Sequence, residues 1–231
     1  MRIRRPLIVL ACLALPLAAA APAAAYDVDA YVYAAGHMLQ TADVPKGLGD
    51  FGERMWFSAN TEKAGFDLCT PKEGKAVMLR GGQGHYSAFF SNGTDSGNTL
   101  NQAVITYKAA KAAVSAFNKA TKAVQACVGT DSGSWDDGNG GTFTYSSTTT
   151  TGKVPYVTVT GVESVFLDTN NVDGSSTSTS KDLRDTYLVM TLVGDAIIMT
   201  EYMKMDDSDV SAKQRKKVDE AAFNAVTRWT S

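Results

Sequence analysis

Residues 103–129 read AVITYKAAKAAVSAFNKATKAVQACVG, and the fold turns on them. Ala103 to Tyr107 is rich in β-branched and aromatic residues, the composition of a strand. From about Ala109 the period changes. Ala110, Ala113, Val114, Phe117, Thr121, Val124 and Val128 recur at three and four residues, one apolar stripe of a helix reaching about Val128. Lys108, Lys111, Lys119 and Lys122 fall on the opposite face and read as a solvated surface rather than an anion site. Gly129 stops the helix, and Cys127 lies at the stripe's edge with reach inward.

On the N-terminal side, residues 26–40 (YDVDAYVYAAGHMLQ) read as a short helix, halted by Thr41-Ala42-Asp43-Val44-Pro45 and the turn glycines Gly47 and Gly49. Trp56 and Phe57 begin an extended segment leading to Phe66-Asp67-Leu68-Cys69. Val77 to Arg80 and Tyr86 to Phe90 read as strands joined by a hairpin turn at Gly81-Gly82-Gln83-Gly84, with a second turn over Asn92 to Asn98.

On the C-terminal side, a loop over Asp131 to Gly141 precedes four strands: Thr142 to Thr148, Val154 to Phe166, Thr186 to Val193 and Ala196 to Lys204. Gly194-Asp195 is a tight-hairpin signal between the last two. A final helix spans about Asp209 to Trp229, capped by Ser208 or Asp209, with Val218, Ala221, Ala222, Ala225 and Trp229 on one side. Two stretches are low in complexity. Ser146 to Thr151 reads as a strand end, and Asp173 to Ser180 as a flexible loop. No internal repeat or domain linker appears. The order helix, strands, helix, strands, helix predicts an α+β single domain: an antiparallel sheet packed on one face by two main helices.

Composition bounds the rest. With 44% apolar and 20% charged residues and a mean hydropathy of −0.13, the chain is neither disordered nor collagen-like. Its 22 Lys and Arg against 24 Asp and Glu argue against a dedicated nucleic-acid binder. Residues 1–25 read as a secretory signal peptide: Arg2, Arg4 and Arg5, an apolar run from Leu7 to Ala21, then Ala23-Ala24-Ala25 as the cleavage site. The apolar run is too short and too rich in Ala and Pro for a membrane anchor. Cys12 does not make a lipoprotein box, since Leu10 precedes it and most of the apolar run follows it. Pro6 after Arg4-Arg5 weakens a twin-arginine reading. No later apolar run approaches the ~18 residues a membrane span needs. The expected product is a released domain over residues 26–231, secreted after cleavage near Ala25, without a transmembrane anchor.

Two cysteines, Cys69 and Cys127, then remain. In an exported protein such a pair reads as a disulfide, with free thiols or a metal site as the alternatives. A bond closing that loop stabilises by roughly 4 kcal/mol in the chain-entropy model. A metal site needs further ligands, and the chain has only His37 and His85, neither with a second ligand at metal spacing.

Other chemistry is thin. Asp-Ser-Gly occurs at Asp95-Ser96-Gly97 and Asp131-Ser132-Gly133, but neither continues as around a serine-protease nucleophile and no histidine sits in a matching context. Both read as polar turns. Gly81 to Gly84 lacks the Lys-Ser/Thr and helix of a phosphate cradle. Asp168 to Gly174 resembles a calcium loop with its acidic positions out of register. Asp136-Asp137 and Asp206-Asp207 fall in turn or cap contexts, not across a cleft. Asn92-Gly93-Thr94 has the form of a glycosylation sequon. Trp56 and Trp135 are candidates for a ligand cleft, with Trp135 more simply a loop aromatic folded back on the core.

The arrangement resembles the PknH-type extracellular sensor domains of receptor kinases and their stand-alone relatives. Four features carry the resemblance: Leu39-Gln40-Thr41-Ala42-Asp43-Val44, Asp67-Leu68-Cys69, the strand Val104-Ile105-Thr106-Tyr107, and the helix with Ala112-Ala113, Phe117 and Val124-Gln125-Ala126-Cys127-Val128-Gly129. It spans most of residues 33–229, and the cysteine-ended helix is its most specific element. The resemblance implies a Cys69–Cys127 bond and a non-catalytic binding fold with a cleft. It departs at the C-terminal hairpin, where the family's type member has a second disulfide and Thr186 to Lys204 holds no cysteine. With no kinase-like sequence in these residues, signalling through an attached kinase is not expected. No ligand-contacting residue carries over.

The expected function is therefore a secreted, non-enzymatic sensor-like binding domain for an unidentified small molecule, envelope fragment or protein, with no cofactor, metal or nucleic acid. The alternatives are a secreted hydrolase with an unrecognised site and a surface-acting structural or inhibitory protein.

Overall fold

The computed structural model describes residues 28–48, 51, 56–60, 66–69, 75–91, 98–136, 141–154, 163–175, 181–204 and 209–231. For residues 28–31, 56–60, 135, 143, 171–175 and 181–184 it describes the backbone alone. The signal-peptide reading, Asn92-Gly93-Thr94, Asp95-Ser96-Gly97, Asp206-Asp207 and the side chains of Trp56 and Trp135 lie outside what is described.

The frame is one antiparallel sheet of eight strands in the order β1-β4-β5-β10-β9-β8-β7-β6. Its strands are β1 (Trp56–Asn60), β4 (Gly84–Ser91), β5 (Thr99–Thr106), β6 (Gly129–Asp136), β7 (Thr142–Lys153), β8 (Glu163–Ser175), β9 (Lys181–Val193) and β10 (Ala196–Lys204). A separate two-stranded ribbon pairs β2 (Phe66–Cys69) with β3 (Val77–Leu79). The helices are α1 (Val28–His37), α2 (Ala110–Ala123) and α3 (Ala212–Thr230), with 3-10 turns at Thr41–Asp43 and Val124–Cys127. After β5 the chain crosses the sheet as α2 and re-enters at the far edge as β6. The strands from β6 to β10 then return step by step until β10 pairs with β5, Ile198 opposite Val104.

Helices cover both faces of the sheet, which corrects the one-face expectation. Val104 and Ile198 join a cluster with Val218, Ala221, Ala222 and Ala225 of α3 and Ala34 and Met38 around α1. Ile105, Ile197 and Met199, their alternate neighbours, join a second cluster with Ala113, Phe117, Ala120 and Val124. Side chains on a strand alternate between faces, so the unbroken apolar runs of β5 and β10 require cover on two sides.

Several boundaries move. The buried stripe is Ala113, Phe117 and Ala120 of α2, continued by Val124 in the 3-10 turn, whereas Val114 and Val128 are 41% and 45% exposed. The α-helix stops at Ala123, and a 3-10 turn tightens its end up to Cys127. Asp131 to Asp136 of the expected loop over Asp131 to Gly141 belong to strand β6, built from a Ser/Thr/Gly-rich sequence whose pairing to β7 overrides weak propensity, and residues 137–140 lie outside the described residues. Asp173 to Ser175, expected in a flexible loop, extend β8, with Gly174 opposite Lys181. Of the expected strand over Val154 to Phe166, Glu163 to Phe166 are strand in β8, and residues 155–162 lie outside the described residues.

Gly81 to Gly84 is not a hairpin turn. β3 pairs with β2 and β4 with β1 and β5, so this segment steps from ribbon to sheet. A Cβ on Gly82 would sit 2.2 Å from Ile105 Cγ2, and only glycine allows that approach. α3 starts at Ala212 and is capped by Ser211, not Ser208 or Asp209. Gln214 N donates to Ser211 Oγ at 3.3 Å and Ser211 N donates to Gln214 Oε1 at 3.0 Å. The Gly194-Asp195 turn stands as expected, with Gly194 at φ +57° and Ala196 paired to Val193.

Candidate functional site

Cys69 closes β2 and Cys127 closes the turn after α2, and the two are joined, their Cα atoms 6.4 Å apart. The bond holds the β2–β3 ribbon beside α2, over the face of the sheet that α2 covers. Between β3 and α2 lies an open groove of about 640 Å³. Its floor is apolar: Val77 and Met78 from β3, and the small Ala112, Ala116 and Ala123 from α2. Lys75 and Arg80 stand on the ribbon side and Lys119 on the helix side. Tyr107, at the end of β5, closes the groove below. Its hydroxyl donates to Arg80 O at 3.3 Å, and burial pushes its pKa up to about 12, so it stays a neutral donor.

A second polar assembly pins α3 to the sheet. Arg215 Nε meets Asp168 Oδ2 of β8 at 2.8 Å, and its Nη2 lies 3.4 Å from Asp185 Oδ2 of β9. Val210 N donates to the same Asp185 oxygen at 2.5 Å. One turn further on, Tyr187 donates its hydroxyl to Asp219 Oδ1 at 3.0 Å. Burial raises the pKa of Asp168, Asp185 and Asp219. Arg215 acts against the rise at Asp168, the Val210 N–H at Asp185, and the Tyr187 hydroxyl at Asp219. Asp185 is only 1% exposed and Asp219 3%, so neither is positioned to meet a substrate. This cluster is a structural clamp. Two carboxylates flanking a scissile bond would have to reach it.

The histidines are kept apart. Tyr86 belongs to the α3-side cluster, so His85, its neighbour on β4, faces the α2 side. His37 ends α1 on the α3 side, stacked on Tyr33 at 3.8 Å with Nδ1 2.7 Å from Tyr33 O. Burial lowers the pKa of His85. Among the described residues no group of three His, Cys, Asp or Glu side chains is placed to hold a metal. Asp131-Ser132-Gly133 is a stretch of β6 rather than a turn, and Asp168 to Gly174 is paired along β8 rather than looped.

The groove residues Lys75, Arg80 and Tyr107 were not singled out by sequence reasoning, and Lys119 was read as solvated surface. One signal was present: from Lys75 to Cys127 the chain carries six Lys and Arg and a single acid, Asp95.

A disulfide-tethered ribbon is set over a sheet-backed helix, with a groove between them, in an α+β domain. The family follows from the sequence: the model described as the PknH-like extracellular domain matches residues 81–217, more than half of the chain, and the chain belongs to that family. It is thus a sensor-type extracellular domain of a non-catalytic family. Among solved structures, the crystal structure of the extracellular domain of PknH from Mycobacterium tuberculosis is similar at 10% identity and a TM-score of 0.47, over 84% of this chain and 94% of that one. No curated protein matches the chain. Among the described residues no helix is long and apolar enough to cross a membrane.

Proposed function

We propose that the chain is exported, loses residues 1–25 near Ala25, and works as a non-enzymatic sensor domain over residues 26–231. Its ligand, a small molecule or an envelope fragment, seats in the groove between β3 and α2. One observation carries this reading: an open groove of about 640 Å³ with an apolar floor, bounded by a covalently tethered ribbon. Concave, mostly apolar sites with few polar groups are where small ligands bind. The carboxylates with raised pKa lie in the α3 clamp instead of in the groove, which favours binding over hydrolysis.

The test is a thermal-shift screen of the purified exported chain, disulfide intact, against envelope fragments, lipids and metabolites. A ligand at 100 times its dissociation constant adds about 2.7 kcal/mol, a shift of several degrees for a domain of this size. Ala116→Phe, which fills the groove floor, is expected to abolish the shift. A ligand whose shift survives Ala116→Phe binds elsewhere, and the groove is then not the site. N-terminal sequencing of the exported chain is expected to begin at Tyr26.

A further inference from the structure

We propose that the groove and the outer face of α2 dock on an anionic lipid surface, the groove taking an acidic headgroup and the first methylenes of its chain. This deepens the groove reading and rests on it. The chain as a whole carries more acid than base, yet the segment from Lys75 to Cys127 holds six cations and one acid. At 3.6 residues per turn, Lys111, Lys119 and Lys122 fall within about 80° of one another around the helix axis, and Lys108 stands just before the extended N-cap, Ala109. That sector adjoins the groove-lining Ala112, Ser115 and Ala116. All four lysines are exposed, as are Lys75 and Arg80 across the groove. Among the described residues none of the six is held by a carboxylate, whereas Arg215, Lys217 and Arg228 each are.

The combination selects the occupant. A small anion needs only the charges, and a neutral apolar ligand needs only the floor. Here both lie within one groove, so the matching ligand has an acidic head and an apolar body. The cations also continue past the groove along α2, over a span that one headgroup cannot meet. A continuous anionic surface meets it, and basic residues are drawn to such a surface within a Debye length.

Each lysine near an anionic bilayer strengthens binding by about fivefold. The experiment is co-sedimentation of the intact chain with phosphatidylcholine vesicles, with and without phosphatidylglycerol as a third of the lipid. Binding to the anionic vesicles only, weakening with added salt, is expected. Lys111→Glu with Lys122→Glu reverses charge on the outer face and leaves the groove floor open. It is expected to weaken vesicle binding by at least about 25-fold at low salt. Ala116→Phe keeps every charge and is expected to weaken it less. Equal binding to neutral vesicles, or indifference to the charge reversal, overturns the proposal. Glycerol phosphate shifting the melting temperature without vesicle binding also overturns it, since the site then reads a free headgroup. If vesicles fail to bind while a ligand found by thermal shift is lost in Ala116→Phe, the lipid inference falls and the groove reading stands.

Discussion

At the scale of single residues, the two sides of α2 make a direct comparison. Phe117 and Val114 share the apolar stripe that periodicity predicts, yet Phe117 is 2% exposed and Val114 is 41% exposed. Phe117→Ala leaves a cavity in the buried cluster that includes Ile197 and Met199 and is expected to cost about 3–5 kcal/mol. Val114→Ala is expected to stay within about 0.5 kcal/mol. Urea unfolding of both variants decides it, and equal losses would show that the helix is seated differently. Gly82 offers a second test. Its Cβ position is blocked by the Ile105 side chain, which is fully buried. Gly82→Ala is expected to cost about 1–3 kcal/mol by overpacking, even though the residue sits in a segment that reads as an ordinary Gly-rich turn.

At the scale of elements, the ribbon β2–β3 depends on its tether. It is short, it is not part of the main sheet, and two strands alone are marginal in water. Replacing Cys69 and Cys127 by serine is expected to cost about 2–5 kcal/mol. It is also expected to erase the ligand-dependent thermal shift, because the ribbon supplies one wall of the groove. A serine variant that loses stability but keeps the full shift would place the ligand away from the ribbon. The sequence made this pairing readable, since an exported chain left with two cysteines points to one bond. β10 and the Gly194-Asp195 turn were equally legible, because a long apolar run beside a two-residue turn signal admits few other forms. β6 was not legible. Thr130, Ser132 and Ser134 carry no apolar alternation, and only pairing to β7 makes them a strand. The groove was hidden for a related reason. Ala112, Ala116 and Ala123 are unremarkable helix formers, and they become a floor only because a strand 33 or more residues earlier lies against them. Their function is a matter of juxtaposition, which periodicity along one segment does not encode.

At the scale of the whole molecule, both helical faces carry exposed lysines, Lys213 and Lys216 on α3 among them, and the α3 side also buries carboxylates beneath its helix. The buried carboxylates set the response to pH. Burial raises the folded-state pKa of Asp168, Asp185 and Asp219 above the ordinary carboxylate range. In the unfolded chain these groups titrate near 3.9. Between that value and their raised folded pKa, the folded protein holds protons that the unfolded chain has released. Their contribution to stability is therefore full below about pH 3.9 and is lost as pH rises through the folded pKa. His85 opposes them. Burial lowers its folded pKa from 6.5, so its contribution is present above 6.5 and lost as pH falls through the folded value. Three groups favour the acid side against one. In urea-unfolding series from pH 7 towards 4 the midpoint is expected to rise within the carboxylate window. Asp219→Asn keeps an acceptor for the Tyr187 hydroxyl and removes one titration, so its stability should depend less steeply on pH. His85→Gln removes the opposing titration, and its rise should be steeper than the parent's. If Asp219→Asn tracks the parent at every pH, the carboxylate is ionised in its buried site. The clamp beneath α3 is then held by charge, with no contribution from bound protons at that position.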